Sequence, residues 1–336
     1  MTTYEAHAGQ SGRGAVCGPA HAATYHVGVP PTSPWLRRIL VANLVLQVLI
    51  VVTGGLVRLT GSGLGCPTWP RCEGDSFAPV IHDAMTFHPF VEYGNRLLSV
   101  LVGVGALTTV WAVFRWARHR TPMFGLALAI IGLTLAQGGL GGITVLTGLH
   151  PITVMGHFLI SMALVSLSTT LLLRDYQSDE RARLTVPVLV RQLAIATGAM
   201  LVVVLILGTV VTGSGPHSGD AERPARFGLD PRTISWLHAD SVMLFVGLVV
   251  AMVVATRLLS GAARSRDWWG WVLLISLAQG VIGYTQYLTG LPELLVLVHM
   301  LGAAALTATV TAGIVTLWDR HPVAASSEPL DQQLRA

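Results

Sequence analysis

The chain contains no lysine, and only 11% of its 336 residues are charged. A soluble domain carries about 25% charged residues. A water-covered surface of this size would need more charge than that, so much of the exterior must face something other than water. With lysine absent, every fixed side-chain cation is arginine, which reads as the coding bias of a GC-rich genome. The arginines sit in short blocks between apolar runs, an arrangement that argues against nucleic acid as a partner. The first 34 residues are polar and hold no apolar run of signal-peptide kind. Residues 1–34 are expected to be a disordered cytoplasmic tail, with His7, His21 and His26 solvated and Cys17 a plain thiol.

What the chain has instead is apolar length. It is 52% hydrophobic, with a mean hydropathy of +0.62. Eight apolar runs stand at 36–58, 90–113, 123–146, 152–173, 188–211, 234–256, 268–288 and 293–317. Each is long enough to cross a hydrocarbon layer of ~30 Å as a helix. Arg37 and Arg38, Arg115, Arg118 and Arg120, then Arg174, Arg181, Arg183 and Arg191 all fall on one side of these spans. Arg257, Arg264, Arg266 and Arg320 share that side, which the positive-inside rule makes cytoplasmic. Both termini are then inside, and loops 59–89, 147–151, 212–233 and 289–292 are outside. The third outer loop also carries Arg223, Arg226 and Arg232, accompanied by Asp220, Glu222 and Asp230. The expected fold is an all-α membrane protein with membrane lipid around it.

The two halves repeat. Leu135-Ala136-Gln137-Gly138 recurs as Leu277-Ala278-Gln279-Gly280, and Thr147-Gly148-Leu149 as Thr289-Gly290-Leu291, both at an offset of 142 (279 − 137; 289 − 147). Thr60-Gly61-Ser62-Gly63 recurs as Thr212-Gly213-Ser214-Gly215 at an offset of 152 (212 − 60). Four spans return the chain to its starting side, so the halves are parallel four-helix-bundle repeats about an axis along the membrane normal. Residues 35–175 form the first repeat and 186–318 the second, with 319–336 a cytoplasmic tail. A duplication can simply enlarge a bundle, or it can make two similar sites.

The polar residues within the spans favour two sites. His157, His238 and His299 lie in the fourth, sixth and eighth spans, one to two turns from the outer end, and His157 maps within one residue onto His299. Buried imidazole in a membrane needs a partner. An interhelical hydrogen bond is one answer. Two facing imidazoles from the second and fourth helices of a bundle, here His238 and His299, can also bind a haem iron axially. No Cys-x-x-Cys-His run occurs, so such a haem would have no thioether links. The glycines of Gln137-Gly138-Gly139-Leu140-Gly141-Gly142 suit close helix packing or room for a macrocycle. Glu92 is the carboxylate inside a first-half span, sharing a face with Asn95 and standing four residues before Arg96. It either pairs with Arg96 or serves chemistry. The second half has Ser235 and Ala239 at the Glu92 and Arg96 places (offset 143, 238 − 95). Cys66 and Cys72 lie in the first outer loop, where a disulfide can persist, as a staple or as an exchanging dithiol.

These residues resemble heme A synthase. The likeness rests on the run Gly54-Gly55-Leu56-Val57-Arg58-Leu59-Thr60-Gly61-Ser62-Gly63-Leu64-Gly65-Cys66-Pro67, on Glu92-Tyr93-Gly94-Asn95-Arg96, and on the stretch from Gln137 to His157. It covers nearly all of 36–318. The resemblance implies an oxidoreductase that converts the C8 methyl of heme O to a formyl group, giving heme A for terminal cytochrome oxidase. It implies heme b on His238 and His299, heme O near Glu92 and His157, and a cysteine pair matched by Cys66 and Cys72. Asn95, Arg96 and Arg58 join the substrate site, the arginines as partners for propionates. Heme O synthase and the oxidase assembly machinery become expected partners, in the cell membrane, and a homo-oligomer stays open. A second cysteine pair found in some members is missing. So is a histidine: many members have Glu-x-x-His where this chain has Asn95, which aligns with His238. Either His157 holds the first-half haem alone, with Asn95 orienting Glu92 or a water, or His88 or His150 substitutes. A two-haem electron-transfer protein and a haem transporter or chaperone are the rival functions.

Overall fold

The computed structural model describes residues 33–81, 86–220 and 224–320. Its helices are α1 (Pro34–Leu59), α2 (His88–Ala117), α3 (Thr121–Leu146), α4 (Pro151–Asp175), α5 (Val188–Ser214), α6 (Pro231–Leu258), α7 (Ala263–Leu288) and α8 (Glu293–Val315). The first seven contain the whole of their expected spans, while α8 stops two residues short of Leu317. All eight are long and apolar enough to cross a membrane. The chain is a multi-pass membrane protein.

Local chemistry explains the helix ends. α1, α2, α3, α4 and α6 have proline in the first two positions, where the missing N–H has no helical partner to lose. Ser33 Oγ caps α1 by accepting from the Trp35 N–H, and Asp230 caps α6 by accepting from the Thr233 N–H at 2.9 Å. The repeated Thr-Gly-Leu closes α3 and α7 identically. Gly148 and Leu149 have φ of 63° and 58°, and Gly290 and Leu291 have 80° and 62°. The Leu149 N–H returns to the Thr144 carbonyl and the Leu291 N–H to that of Gln286. A left-handed leucine is sterically disfavoured, so the same turn in both halves shows that the repeat extends to the backbone. Within the spans, Thr134, Thr144, Thr197 and Thr307 donate to the carbonyl four residues back. That satisfies their hydroxyls where no water is available.

Each helix packs on its chain neighbour, α1 closes onto α4 and α5 onto α8. α1–α4 thus form one ring and α5–α8 another, with α2 diagonal to α4 and α6 diagonal to α8. The rings meet through α4 with α8, α1 with α8, and α4 with α5. Gly55 permits this approach, since a Cβ there would lie 2.7 Å from Met300 Sδ. Thr311 Oγ1 and Ser166 Oγ add a hydrogen bond at 3.1 Å. Leu97, Leu107, Leu135, Val202, Leu244 and Val281 are each over half exposed, as lipid-facing side chains should be.

The two ends of the bundle are held differently. At the arginine-rich end, Arg120 is buried and donates to Asp179 Oδ1 (2.8 Å) and to the carbonyls of Arg174 (3.0 Å) and Gln177 (2.6 Å). There β1 (Arg183–Leu184) pairs antiparallel with β2 (Trp318–Asp319). This ribbon joins the segment between the halves to the beginning of the expected 319–336 tail. At the opposite end, Arg58 of α1 donates to the carbonyls of Thr212 (3.0 Å) and His217 (2.7 Å) in the second half. The expected tail 1–32, with His7, Cys17, His21 and His26, lies outside the described residues, as do 321–336, Glu222 and Arg223.

Candidate functional site

His238 and His299 enter the second ring from the diagonal pair α6 and α8, each about two turns from the helix start. Each ring faces a glycine of a neighbouring helix. A Cβ on Gly208 would lie 3.2 Å from His238 Cε1, and one on Gly283 would lie 3.6 Å from His299 Cε1. Nδ1 of each imidazole is buried without a hydrogen-bond partner. Buried polar atoms are normally satisfied, so two imidazoles from diagonal helices, each with a buried unpartnered Nδ1 and a glycine beside its ring, fit a haem with two axial histidines. Among the described residues no group of three or more His, Cys, Asp or Glu gathers to hold a metal ion.

The first ring reproduces half of this arrangement. His157 on α4 has an unpartnered Nδ1 and stands against Gly141, whose Cβ would lie 3.5 Å from Cε1. Gln137 Nε2 donates to the His157 carbonyl at 2.8 Å, and Gln279 Nε2 donates to the His299 carbonyl at 3.1 Å. Glycine, histidine and glutamine all recur at an offset of 142 (283 − 141, 299 − 157, 279 − 137). The glutamines were visible as the repeated Leu-Ala-Gln-Gly, but their contact with the histidine turn lies between helices and emerges only from packing.

The other diagonal position differs. Asn95 of α2 stands where His238 stands in α6, and its Oδ1 accepts from Thr53 Oγ1 at 2.8 Å. Leu56 replaces Gly208 (offset 152, 208 − 56). Asn95 therefore does not orient Glu92; it turns to α1. His88 Nδ1 bonds to Ser62 Oγ at 2.9 Å, and His150 Nδ1 caps α4 through the Ile152 N–H. Each therefore holds a contact in loop or cap structure through Nδ1.

Glu92 is buried, with 5% of its surface exposed. Its Oε2 accepts from the Cys66 N–H at 2.6 Å, and its Oε1 accepts from Arg96 Nε (3.0 Å) and Nη2 (2.6 Å). Arg96 donates further to the carbonyls of Cys66, Thr68 and Arg71. The ion pair seen in the sequence is present, and it fastens the loop closed by the Cys66–Cys72 disulfide onto α2. Both cysteines are fully buried. Trp69 of the same loop lies on α3 where a Cβ at Gly142 would come within 2.5 Å of its indole. Gly142 is therefore used for loop packing, beside the Gly141 that faces His157. Arg58 spends Nε and Nη2 on the second half, leaving Nη1 outside the described hydrogen bonds.

Comparison with known proteins identifies the family of the chain. Residues 37–217 match the family described as cytochrome oxidase assembly protein (COX15-CtaA). A heme A synthase of Geobacillus kaustophilus is 35% identical over 127 residues, 37% of this chain and 38% of that protein. One from Shewanella oneidensis is 33% identical over 155 residues, covering 42% and 44% of the two chains. The match to these two spans less than half of their length. A heme A synthase of Bacillus cereus is 27% identical over 294 residues, 83% of this chain and 92% of the relative. Since the matched stretch 37–217 is more than half of the 336 residues, this chain belongs to the cytochrome oxidase assembly protein family.

Proposed function

We propose that the protein is a membrane-bound heme A synthase, oxidising the C8 methyl of heme O to a formyl group. The observation that carries this reading is the unequal repeat. One ring offers two diagonal imidazoles, His238 and His299, and the other offers the same glycine–histidine–glutamine set around His157 with Asn95 opposite. Two histidines suit a permanent heme b, and one suits a haem that must arrive, react and leave. The resident haem would supply redox chemistry, while the protein supplies orientation and electrostatics.

The chain's own residues take the remaining roles. His157 holds the substrate from α4. Glu92, fixed by the Cys66 N–H and by Arg96, is the group placed to take up a proton or to stabilise a developing positive centre. Arg96 positions it and ties it to the disulfide loop, and Trp69 of that loop covers the outer end of α3. Arg58, with Nη1 uncommitted at this end of the first ring, suits a propionate, whereas Arg96 is spent on Glu92 and the loop carbonyls. The arginine pattern supports a plasma-membrane protein with cytoplasmic termini. Heme O synthase and the oxidase assembly machinery are the partners this activity requires.

A two-haem electron carrier is the second reading. It is favoured by Glu92 being fully engaged with Arg96 and the loop, which gives the carboxylate a structural reason to exist. The pigment separates the two. Co-expression with a source of heme O, followed by mass analysis of extracted haems, should yield the formyl haem. Unaltered heme O beside a normal resident spectrum would leave the carrier standing and remove the synthase.

A further inference from the structure

The seam between α1 and α2 holds a cavity of about 230 Å³, bordered by Thr53 and Leu56 on one side and by Phe90, Gly94, Asn95 and Leu98 on the other. Its inner end is polar. Thr53 donates to Asn95 Oδ1, and the Asn95 amide nitrogen has no partner among the described residues. Its other end is apolar and reaches the outside of the bundle, where Leu56 is 42% and Phe90 50% exposed. Exposed apolar side chains on a membrane-spanning helix meet lipid.

The gap has a sequence cause. By the offsets relating the halves, the second ring has Leu205, Leu237 and His238 where the first has Thr53, Gly94 and Asn95 (205 − 53 = 152; 237 − 94 and 238 − 95 = 143). Gly94 is exposed and a Cβ added to it would meet nothing within 4 Å, so this part of the seam is open to the outside of the bundle, at the place where the second ring carries the half-exposed Leu237. Polarity and room therefore distinguish the first ring from the second at the same seam.

We propose that this seam receives the isoprenoid tail of the haem substrate and is the lateral route between lipid and the first ring. The proposal rests on reading the first ring as the heme O site. Heme O differs from protohaem in bearing a hydroxyl next to the macrocycle, followed by a long branched hydrocarbon chain. The seam offers both kinds of contact, a polar Thr53–Asn95 pair with apolar side chains around it. The Asn95 amide is a free donor at the inner end, where a hydroxyl can accept. Leu56 and Phe90, both exposed, line the side that opens to lipid, and Leu98 lines the seam one turn beyond Asn95. A tail lying here never crosses an aqueous surface. Because lipid is as apolar as the seam, binding of the tail is decided by packing rather than by transfer from water. Gly94 sets that packing. A protohaem cofactor in the second ring has no tail, and the leucine at the Gly94 place leaves none to be housed.

The test is Gly94→Leu, which copies the residue the second ring uses. Full-length protein in nanodiscs is titrated with heme O and with protohaem, followed by difference absorbance. The variant should weaken heme O roughly tenfold or more, the scale at which an apolar pocket rejects added bulk, and leave protohaem binding to the first ring unchanged. Leu98→Trp, elsewhere in the lining of the seam, should produce the same selective loss and covers the case in which Gly94→Leu fails to stay monodisperse. Equal weakening of both haems, or of neither, overturns the subsite and leaves the seam to ordinary lipid chains. A wild-type protein that prefers heme O no more than protohaem overturns it as well. Failure of the wild type to make any formyl haem would instead remove the functional reading, and the proposed substrate with it.

Discussion

Replacing Glu92 by Gln tests the clamp between α2 and the disulfide loop. The carboxylate accepts at both oxygens, from the Cys66 N–H on one and from Arg96 on the other. A glutamine has one acceptor oxygen and one NH₂ group. Whichever way its amide is turned, a donor faces a donor, either the Cys66 N–H or the Arg96 guanidinium. Arg96 keeps its three loop carbonyls, so it is not stranded. The loss is one charge-assisted bond together with an orphaned buried donor, about 2 kcal/mol. Cys66 and Cys72 are fully buried, so a reductant reaches the disulfide only when the loop lifts. Lowering the cost of lifting by about 2 kcal/mol raises the open population roughly 30-fold, since 1.4 kcal/mol is tenfold. The assay is the rate of reduction by a water-soluble phosphine, read as alkylated cysteine by mass, in the intact protein. Glu92→Gln should reduce roughly 30 times faster than wild type, keep the resident haem spectrum, and make little heme A. A wild-type reduction rate would refute the clamp. Normal heme A output would refute the chemical role of Glu92 and leave only the ion pair with Arg96.

Three further outcomes follow from the same geometry. With loop 59–89 outside, a membrane-impermeant maleimide should label Cys66 and Cys72 in intact cells after reduction and not before; labelling only in opened cells would reverse the orientation. His238→Ala or His299→Ala should abolish the low-spin b-type spectrum of the purified protein and His157→Ala should leave most of it, whereas loss in His157→Ala alone would put the resident haem in the other ring. Asn95→His with Leu56→Gly rebuilds the second-ring arrangement in the first, so the double variant should retain a second low-spin haem and release less heme A. A haem content equal to wild type would show that the missing imidazole is not what keeps the first ring open.

Sequence alone determined the spans and much of their symmetry. Apolar runs of membrane length admit only helices, because every backbone polar group must be satisfied within the segment. The repeated Thr-Gly-Leu needed no structure to be read as a matched helix end, and the depth of His157, His238 and His299 followed from counting residues. Glu92 and Arg96, four apart on one helix, were legible as a pair. What the pair holds was not. The Cys66 N–H, the Thr68 and Arg71 carbonyls, the Trp69 indole on Gly142 and the reach of Arg58 to Thr212 and His217 all join residues from different elements. The same holds for the turn of Asn95 towards Thr53, which the sequence reading had aimed at Glu92 or a water. In lipid, the outer face of a helix is as apolar as the inner one, so hydrophobic pattern says that a segment is a helix without saying which neighbour it meets. Which glycine receives a ring, which seam stays open beside Gly94, and which carbonyl an arginine finds are set by the packing of α1–α8, and only the tertiary structure decides them.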